Sequence, residues 1–247
     1  CKNKTCAFQH PGKVVAEKVT ETRKKVVTKT SPPIDMNFVI DASSSMRGEA
    51  ISACQKAVIQ IYNSMRVNDF VGVSSFTHEP PTPLSGFGFK AQVEKNGGIL
   101  STGLRHLQAS GGTALWDAIG VAVDQLSDRK ERYDSLWCKA NHKGLRRCKL
   151  VLLTDGADQH SSCYDFEKAC ARVAKPGFVL SFVLIAVGVD KGTLCQLESL
   201  CSPAHAKLVQ VSNVRDIGKA FHWVQEQIVK EIRTVREVVS THTEIVN

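Results

Sequence analysis

With 247 residues, the chain is long enough to bury the core of one α/β domain and to leave residues for flanking segments. Its longest apolar stretch, residues 178–189, is too short for a membrane span, so we expect no membrane partner. The net charge of +8 is uneven, because residues 1–30 hold eight Lys/Arg against two Glu and residues 128–149 hold eight against three acids. These basic segments favour electrostatic contacts made by a flank and an insertion, or else they form an ordinary solvated surface.

The nine cysteines are an odd number and occur at irregular spacing. This pattern argues against the disulfide framework of a small secreted protein. We therefore expect a reducing, intracellular location, cytoplasmic or nuclear, in which most of the thiols act as small buried apolar groups.

Residues 1–12 carry a short metal-ligand pattern. Cys1, Cys6 and His10 follow the spacing C-x4-C-x3-H, with an aromatic residue between the second Cys and the His. This segment resembles the closing half of a CCCH zinc finger of the RNA-binding kind. The resemblance implies Zn²⁺ bound by these three residues and by a fourth ligand before residue 1, since a structural zinc site is tetrahedral. Two cysteines and a histidine within ten residues also arise by chance.

The two flanks of the chain share a pattern. Residues 13–33 form a basic flank whose first part alternates Val, Thr and charged residues, and residues 237–247 end the chain with a similar alternation. Such alternation fits a solvated linker or an edge strand. Because the two flanks bracket the rest of the chain, we predict that they pair or pack together as a small β element.

A polar turn follows the first core strand. The apolar residues of 36–40 lack helical period and predict a strand buried on both faces. Asp41 lies at its carboxyl end, where open α/β sheets place ligand sites. Ser43 and Ser45 follow at alternate positions, so three oxygen donors can face one point. Oxygen ligands without His or Cys suit Mg²⁺, Mn²⁺ or Ca²⁺.

Strand-like and helix-like patterns alternate along residues 34–236. We predict helices at 48–65, 99–107, 115–126, 164–173, 193–200 and 214–235, and further strands at 69–76, 150–153, 179–187 and 207–211. Residues 77–98 contain three closely spaced prolines and predict a loop with one edge strand at 86–93. Residues 128–149 predict a long basic loop before a core strand, a kind of loop that often carries binding function.

Two more polar turns resemble parts of a binding site. Thr113 follows Ser-Gly-Gly at 110–112, and Asp155 follows the apolar run 150–153 and precedes Gly156. Taken singly, Asp41 and Thr113 suit helix caps and Asp155 suits a turn. Their joint occurrence at three strand ends favours one convergent site instead.

In this order, the three turns resemble the metal-ion-dependent adhesion site (MIDAS) of a von Willebrand factor A-type (vWA) domain. The resemblance covers residues 34–236 and implies an α/β, doubly wound, mainly parallel sheet with helices on both faces, of Rossmann-like type. It implies a divalent cation, Mg²⁺, Mn²⁺ or Ca²⁺, bound directly or through water by Asp41, Ser43, Ser45, Thr113 and Asp155. It also implies a protein partner whose exposed Asp or Glu fills an open coordination position.

Two other functions fit parts of the sequence. A cation held by carboxylates could assist hydrolysis or phosphoryl transfer, although no P-loop pattern accompanies the site and no histidine is tied to a nucleophile. The basic flank and the CCCH-like segment suit an RNA-associated assembly protein, whose RNA binding would depend on salt. We expect a metal-dependent interaction module rather than an enzyme.

Overall fold

A computed structural model describes residues 24–28, 33–95, 99–137, 147–175, 180–202, 205–233 and 237–241. The chain divides into two compact units, one of Ser31–Thr234 and a smaller one of Cys1–Thr30 with Val235–Asn247. The strands are β1 (Lys24–Thr28), β2 (Ile34–Asp41), β3 (Phe70–Phe76), β4 (Thr82–Phe89), β5 (Arg147–Thr154), β6 (Leu180–Val187), β7 (Ala206–Val211) and β8 (Glu237–Thr241). The helices are α1 (Glu49–Ser64), α2 (Lys90–Lys95), α3 (Ile99–Arg105), α4 (Leu115–Trp137), α5 (Phe166–Val173), α6 (Lys191–Leu200) and α7 (Ile217–Arg233).

The larger unit is built on a six-stranded sheet in the order β4-β3-β2-β5-β6-β7. All neighbouring strands run parallel except β4, which is antiparallel to β3 at one edge. After β2 the chain adds β3 and β4 on one side of that strand, and it then crosses to the other side of β2 and adds β5, β6 and β7. The sheet therefore opens a crevice where the carboxyl ends of β2 and β5 meet, the place where such folds bind ligands.

Alternate residues of each strand enter two separate apolar cores. Phe38 and Ile40 face a core shared with α1 and α7, whereas Val39 faces a core shared with α4, α5 and α6. Every residue of β2 is buried, as the predicted two-sided strand requires. This arrangement confirms the predicted α/β fold, with a mainly parallel sheet and helices on both faces.

The edge strand differs clearly from its predicted range. The edge strand begins at Thr82 rather than residue 86 and ends at Phe89, and α2 follows where the strand was predicted to continue. The strand accommodates Pro83 because β4 lies at the sheet edge, where a missing N–H costs little. It is also fixed by Phe87, whose ring stacks on Phe70 with centroids 5.7 Å apart.

The predicted basic loop at 128–149 also differs from the structure. The helix predicted to end at residue 126 continues to Trp137 as α4, so the first part of this segment is helical. Arg129 lies 3.5 Å from the buried carboxylate of Asp35, so a charged residue belongs to the inner face of this helix. Residues 138–146 lie outside the described part of the chain.

The smaller unit contains a two-stranded antiparallel ribbon of β1 and β8. Its register runs from Lys24 opposite Thr241 to Thr28 opposite Glu237, with Val26 opposite Val239. The pairing confirms that the two alternating flanks come together. Among the described residues of the whole chain, no helix combines the length and apolar character needed to cross a lipid bilayer.

Candidate metal centre

The first loop of the site is shaped by Asp41, the last residue of β2. Its carboxylate is buried; Oδ1 accepts the N–H of Ser43 at 2.8 Å, and Oδ2 accepts the hydroxyl of Thr154 at 2.7 Å. Thr154 ends β5, so Asp41 joins the two strands that border the crevice. A short 3-10 helix at Ser44–Met46 follows, and its buried Met46 anchors the turn in the core.

The second loop is held beside the first by backbone hydrogen bonds. The N–H of Ser44 donates to the carbonyl of Gly111 at 3.0 Å, and the N–H of Ser110 donates to the carbonyl of Ala42 at 2.7 Å. Gly111 has φ +75°, and a Cβ there would overlap Nδ1 of His78. Only glycine meets both demands easily. This turn delivers Thr113, which is buried, to the crevice.

The third loop begins at Asp155, directly after β5. Its Oδ1 accepts the hydroxyl of Ser45 at 2.8 Å, and the Oγ atoms of Ser45 and Ser43 are 3.0 Å apart. A Cβ added to Gly156 would lie 3.2 Å from Oγ1 of Thr113, so the loop passes closely over that hydroxyl. The structure thus brings together the five residues predicted from the three turns.

The five residues differ in exposure. Asp41, Ser43 and Thr113 are buried, Asp155 is half-buried and Ser45 is exposed. The cluster therefore has a deep side formed by the strand ends and an outer side at the protein surface.

The two carboxylates are held in an environment that disfavours their charged form. Burial raises the pKa of Asp41 to about 6, against the opposing effect of hydrogen bonds from Thr154 and Ser43, and the charge of Asp155 raises it further. Burial also raises the pKa of Asp155. A cation would offset the desolvation and mutual repulsion of the two charges. The donors are carboxylate and hydroxyl oxygens throughout, so the residues fit a hard divalent cation.

Asp117 supports the site, and sequence reasoning missed it. This buried residue in the first turn of α4 accepts the N–H groups of Cys163 and Tyr164 on Oδ1 and that of Ser162 on Oδ2, at 2.6 to 2.9 Å. The loop that leaves the site after Asp155 is thereby fastened to the helix that follows Thr113. The sequence does show an acidic residue in the first turn of a helix, a position that such residues favour. It does not show that the carboxylate accepts hydrogen bonds from a loop about 45 residues further along the chain.

Backbone contacts reinforce this connection. The N–H groups of Gln159 and His160 donate to the carbonyl of Thr113 at 2.9 and 3.1 Å. The second and third loops therefore form one hydrogen-bonded body, although they come from different parts of the sequence.

The other predicted metal ligands are the three residues of the CCCH-like segment. Cys1, Cys6 and His10 lie outside the described residues. Within the described ranges, no group of three or more His, Cys, Asp and Glu side chains is placed to hold a metal ion. The candidate centre has only two such side chains and depends on Ser and Thr hydroxyls for the rest.

Residues 36–157 match the family model of the von Willebrand factor type A domain. A 124-residue stretch is 32% identical to inter-alpha-trypsin inhibitor heavy chain H4 of Sus scrofa, covering 50% of this chain and 12% of that protein. The chain spans less than half of the curated relatives that it matches, 40% and 12% of their lengths.

Solved structures share the fold at low sequence identity. The PilB minor pilin from Streptococcus sanguinis superposes with a TM-score of 0.60 at 13% identity, covering 86% of this chain and 64% of the pilin. Proximal thread matrix protein 1 from the mussel byssus, in a structure with a zinc-occupied MIDAS motif, has a TM-score of 0.56 at 13% identity, covering 82% and 49%. These structures show that the chain shares their fold, and the family model adds sequence similarity to the von Willebrand factor type A domain over residues 36–157. Domains of this family often mediate protein–protein interaction through a MIDAS that binds a divalent metal.

Proposed function

We propose that this chain contains a vWA domain and that the domain is a divalent-metal-dependent protein-interaction module. The observation that supports this most is the 2.8 Å hydrogen bond between Ser45 Oγ and Asp155 Oδ1, which joins loops 110 residues apart in sequence. Asp41 Oδ1 accepts the N–H of Ser43 in the first loop, and a Cβ added to Gly156 in the third loop would lie 3.2 Å from Thr113 Oγ1, so oxygen donors of all three loops lie near one another. Such convergence of polar groups at a strand switch point is typical of a ligand site.

The five residues of the site would have two different roles toward a cation. Ser43, Ser45 and Thr113 offer neutral oxygens, whereas Asp41 and Asp155 offer the negative charge that retains a cation. A bound cation would supply a positive charge that a partner's carboxylate can approach from the outer side, where Ser45 is exposed. The proposed partner is therefore a protein with an exposed Asp or Glu.

The preferred cation is open to direct measurement. The oxygen donors favour Mg²⁺, Mn²⁺ or Ca²⁺. The zinc-occupied MIDAS of the mussel protein adds Zn²⁺ to the cations worth testing. Thermal unfolding with each cation ranks them, because the cation that binds the folded state most tightly raises Tm most.

Partner capture from cell extract tests the proposal. Wild-type protein in Mg²⁺ is compared with wild type in EDTA and with Asp41→Asn in Mg²⁺, and the expected result is capture only in the first sample. Asp190→Asn is the matched control and should capture the partner like wild type, since Asp190 is exposed, caps α6 and is not one of the five site residues. Equal capture in all four samples would show that binding uses another surface.

The remaining proposals concern activity and location. vWA domains are generally interaction modules rather than enzymes, and we propose the same here; metal-dependent hydrolysis of phosphoesters by pure protein would contradict it. The intracellular location and the Zn²⁺ ligands Cys1, Cys6 and His10 stay predictions of the sequence. Localisation of the tagged protein and a zinc titration of a longer chain test them.

A further inference from the structure

Two histidines lie against the second loop of the candidate metal centre. A Cβ added to Gly111 would overlap Nδ1 of His78. A Cβ added to Gly112 would likewise overlap Nε2 of His160. The two imidazole rings are also close to each other, with centroids 6.2 Å apart. Both histidines are exposed, so their rings lie at the protein surface beside the loop that carries Thr113.

A third nitrogen-bearing side chain reaches this loop from the first loop. The guanidinium of Arg47 donates to the carbonyl of Ala109 at 3.4 Å, and Ala109 directly precedes the Ser-Gly-Gly turn. Arg47 is exposed, and this contact uses one of the five N–H groups of its guanidinium. Arg47, His78 and His160 together form what we call the rim of the second loop.

The second loop and its rim hold hydrogen-bond donors that the fold leaves available. Within the described part of the chain, neither imidazole of the rim takes part in a hydrogen bond; Glu79 is 73% exposed, and its carboxylate is 4.0 Å from His78 Nε2, beyond hydrogen-bond distance. Among the same residues, the N–H groups of Gly111 and Gly112 have no acceptor either. Successive unpaired N–H groups in a turn form the kind of backbone concavity that binds anions.

This inference rests on the proposed function, in which a carboxylate of the partner approaches a bound cation. We propose that the partner segment carries a second acidic side chain, whose carboxylate accepts hydrogen bonds from the rim of the second loop. Arg47 would supply a charged donor, and each imidazole offers an N–H even in its neutral form. The cation and the rim would thus bind two carboxylates of one segment.

The rim distinguishes between partner segments that share one acidic residue. A neutral segment with a single Asp or Glu would satisfy the cation and leave the rim donors to water. A segment with Lys or Arg beside the acidic residue would bring a like charge towards Arg47, which is unfavourable. A segment with two acidic residues matches both parts of the surface.

Titrations with short dicarboxylates test the proposal. Succinate, glutarate and adipate differ in the spacing of their two carboxylates, and each is compared with its monomethyl ester, which lacks one of the two charges. The full chain is loaded with Mg²⁺, and its amide NMR signals report affinity and location. We expect one dicarboxylate to bind at least about tenfold more tightly than its ester, as one charge-assisted contact gives. The amide signals of Gly111 and Gly112 should shift more with this dicarboxylate than with the ester.

A double variant and a matched control test the rim directly. His78→Ala/His160→Ala should weaken the dicarboxylate about tenfold and leave the affinity of the ester unchanged. Both side chains are exposed, so the variant is expected to fold. His222→Ala removes an imidazole that is 70% exposed on α7, and it should bind both probes like wild type.

The outcomes separate this proposal from the metal proposal. Binding of the ester that is lost in EDTA and in Asp41→Asn supports the metal proposal by itself. If every dicarboxylate then binds no more tightly than its ester, if the double variant keeps the tighter binding, or if His222→Ala loses it equally, the second carboxylate site is wrong. Absence of metal-dependent binding for all probes would overturn both proposals.

Discussion

The interior of the candidate metal centre and the rim of its second loop carry opposite chemistry. In the interior, Asp41 and Asp155 meet hydroxyls and supply the oxygen atoms that a cation needs. At the rim, Arg47, His78 and His160 supply N–H groups that suit an anion. The difference shows two ways of building a polar site on the same loops. Strand ends can fix oxygen atoms through hydrogen bonds between loops, whereas a turn without side chains leaves room for donors that come from neighbouring loops.

Cation binding should be lost completely in one variant and kept in the other. A cation at a hundredfold excess over its Kd should stabilise wild type by about 2.7 kcal/mol. Asp41→Asn should lose this gain completely, because it removes a charge of the site, and the rim variant His78→Ala/His160→Ala should retain it. Thermal unfolding with and without Mg²⁺ or Mn²⁺ measures both variants. A full cation-induced shift in Asp41→Asn would mean that the cation binds elsewhere.

The pH dependence of the free energy of unfolding shows how much the buried charge of Asp41 destabilises the folded state. In EDTA, the pKa of Asp41 is about 6 in the folded protein, against about 4 when unfolded. The folded state therefore binds the proton more tightly, and stability at this residue falls as pH rises from about 4 through 6. The difference between wild type and Asp41→Asn should change by up to about 3 kcal/mol over this window. Denaturant unfolding at several pH values gives the difference, and a flat profile would contradict it.

The glycine turn of the site offers a sharper test of loop geometry. Gly111→Ala should destabilise the protein by about 1 to 2 kcal/mol, because a Cβ is strained at this positive φ and the exposed His78 ring has to turn aside. Gly218→Ala is the matched change in α7, where a Cβ meets nothing within 4 Å, and it should stabilise by about 0.5 to 1 kcal/mol. Urea unfolding of both variants checks the signs. Similar changes in unfolding free energy for the two variants would contradict a requirement for glycine at position 111.

Asp117 allows a test of how the third loop is held in place. Asp117→Asn should cost about 2 kcal/mol, since an amide replaces an acceptor of backbone N–H groups. It should also weaken cation binding by loosening the loop after Asp155. Cation titrations followed by Tm, compared with the exposed cap variant Asp165→Asn, separate this from a general loss of stability. Normal cation affinity in Asp117→Asn would limit the residue to a structural role.

The spacing of residue types along the sequence was sufficient to predict much of the fold and of the candidate metal centre. The apolar run before Asp41 predicted a two-sided strand, and the alternation of Asp41, Ser43 and Ser45 predicted a polar turn. The order of the three turns added Thr113 and Asp155 through a family resemblance. These features were readable because a buried strand and a tight turn impose residue types over a few adjacent positions.

The errors arose where distant contacts outweighed local pattern. The prolines of 80–83 suggested a loop, but the sheet edge accepts Pro83 and the Phe70–Phe87 stack extends β4. The charged residues after 126 suggested a loop. In the structure Arg129 forms an ion pair with the buried Asp35, and α4 continues to Trp137.

The sequence by itself determined the alternation of strands and helices, the pairing tendency of the two flanks and the residue types of the candidate metal centre. Only the tertiary structure decided that Ser45 reaches Asp155, that Asp117 holds the loop at 162–164, and that His78 and His160 lie against the second loop. The physical reason is the range of the interactions. Propensity and burial pattern act between neighbours in sequence, whereas these contacts join residues brought together by the parallel order of β3, β2 and β5.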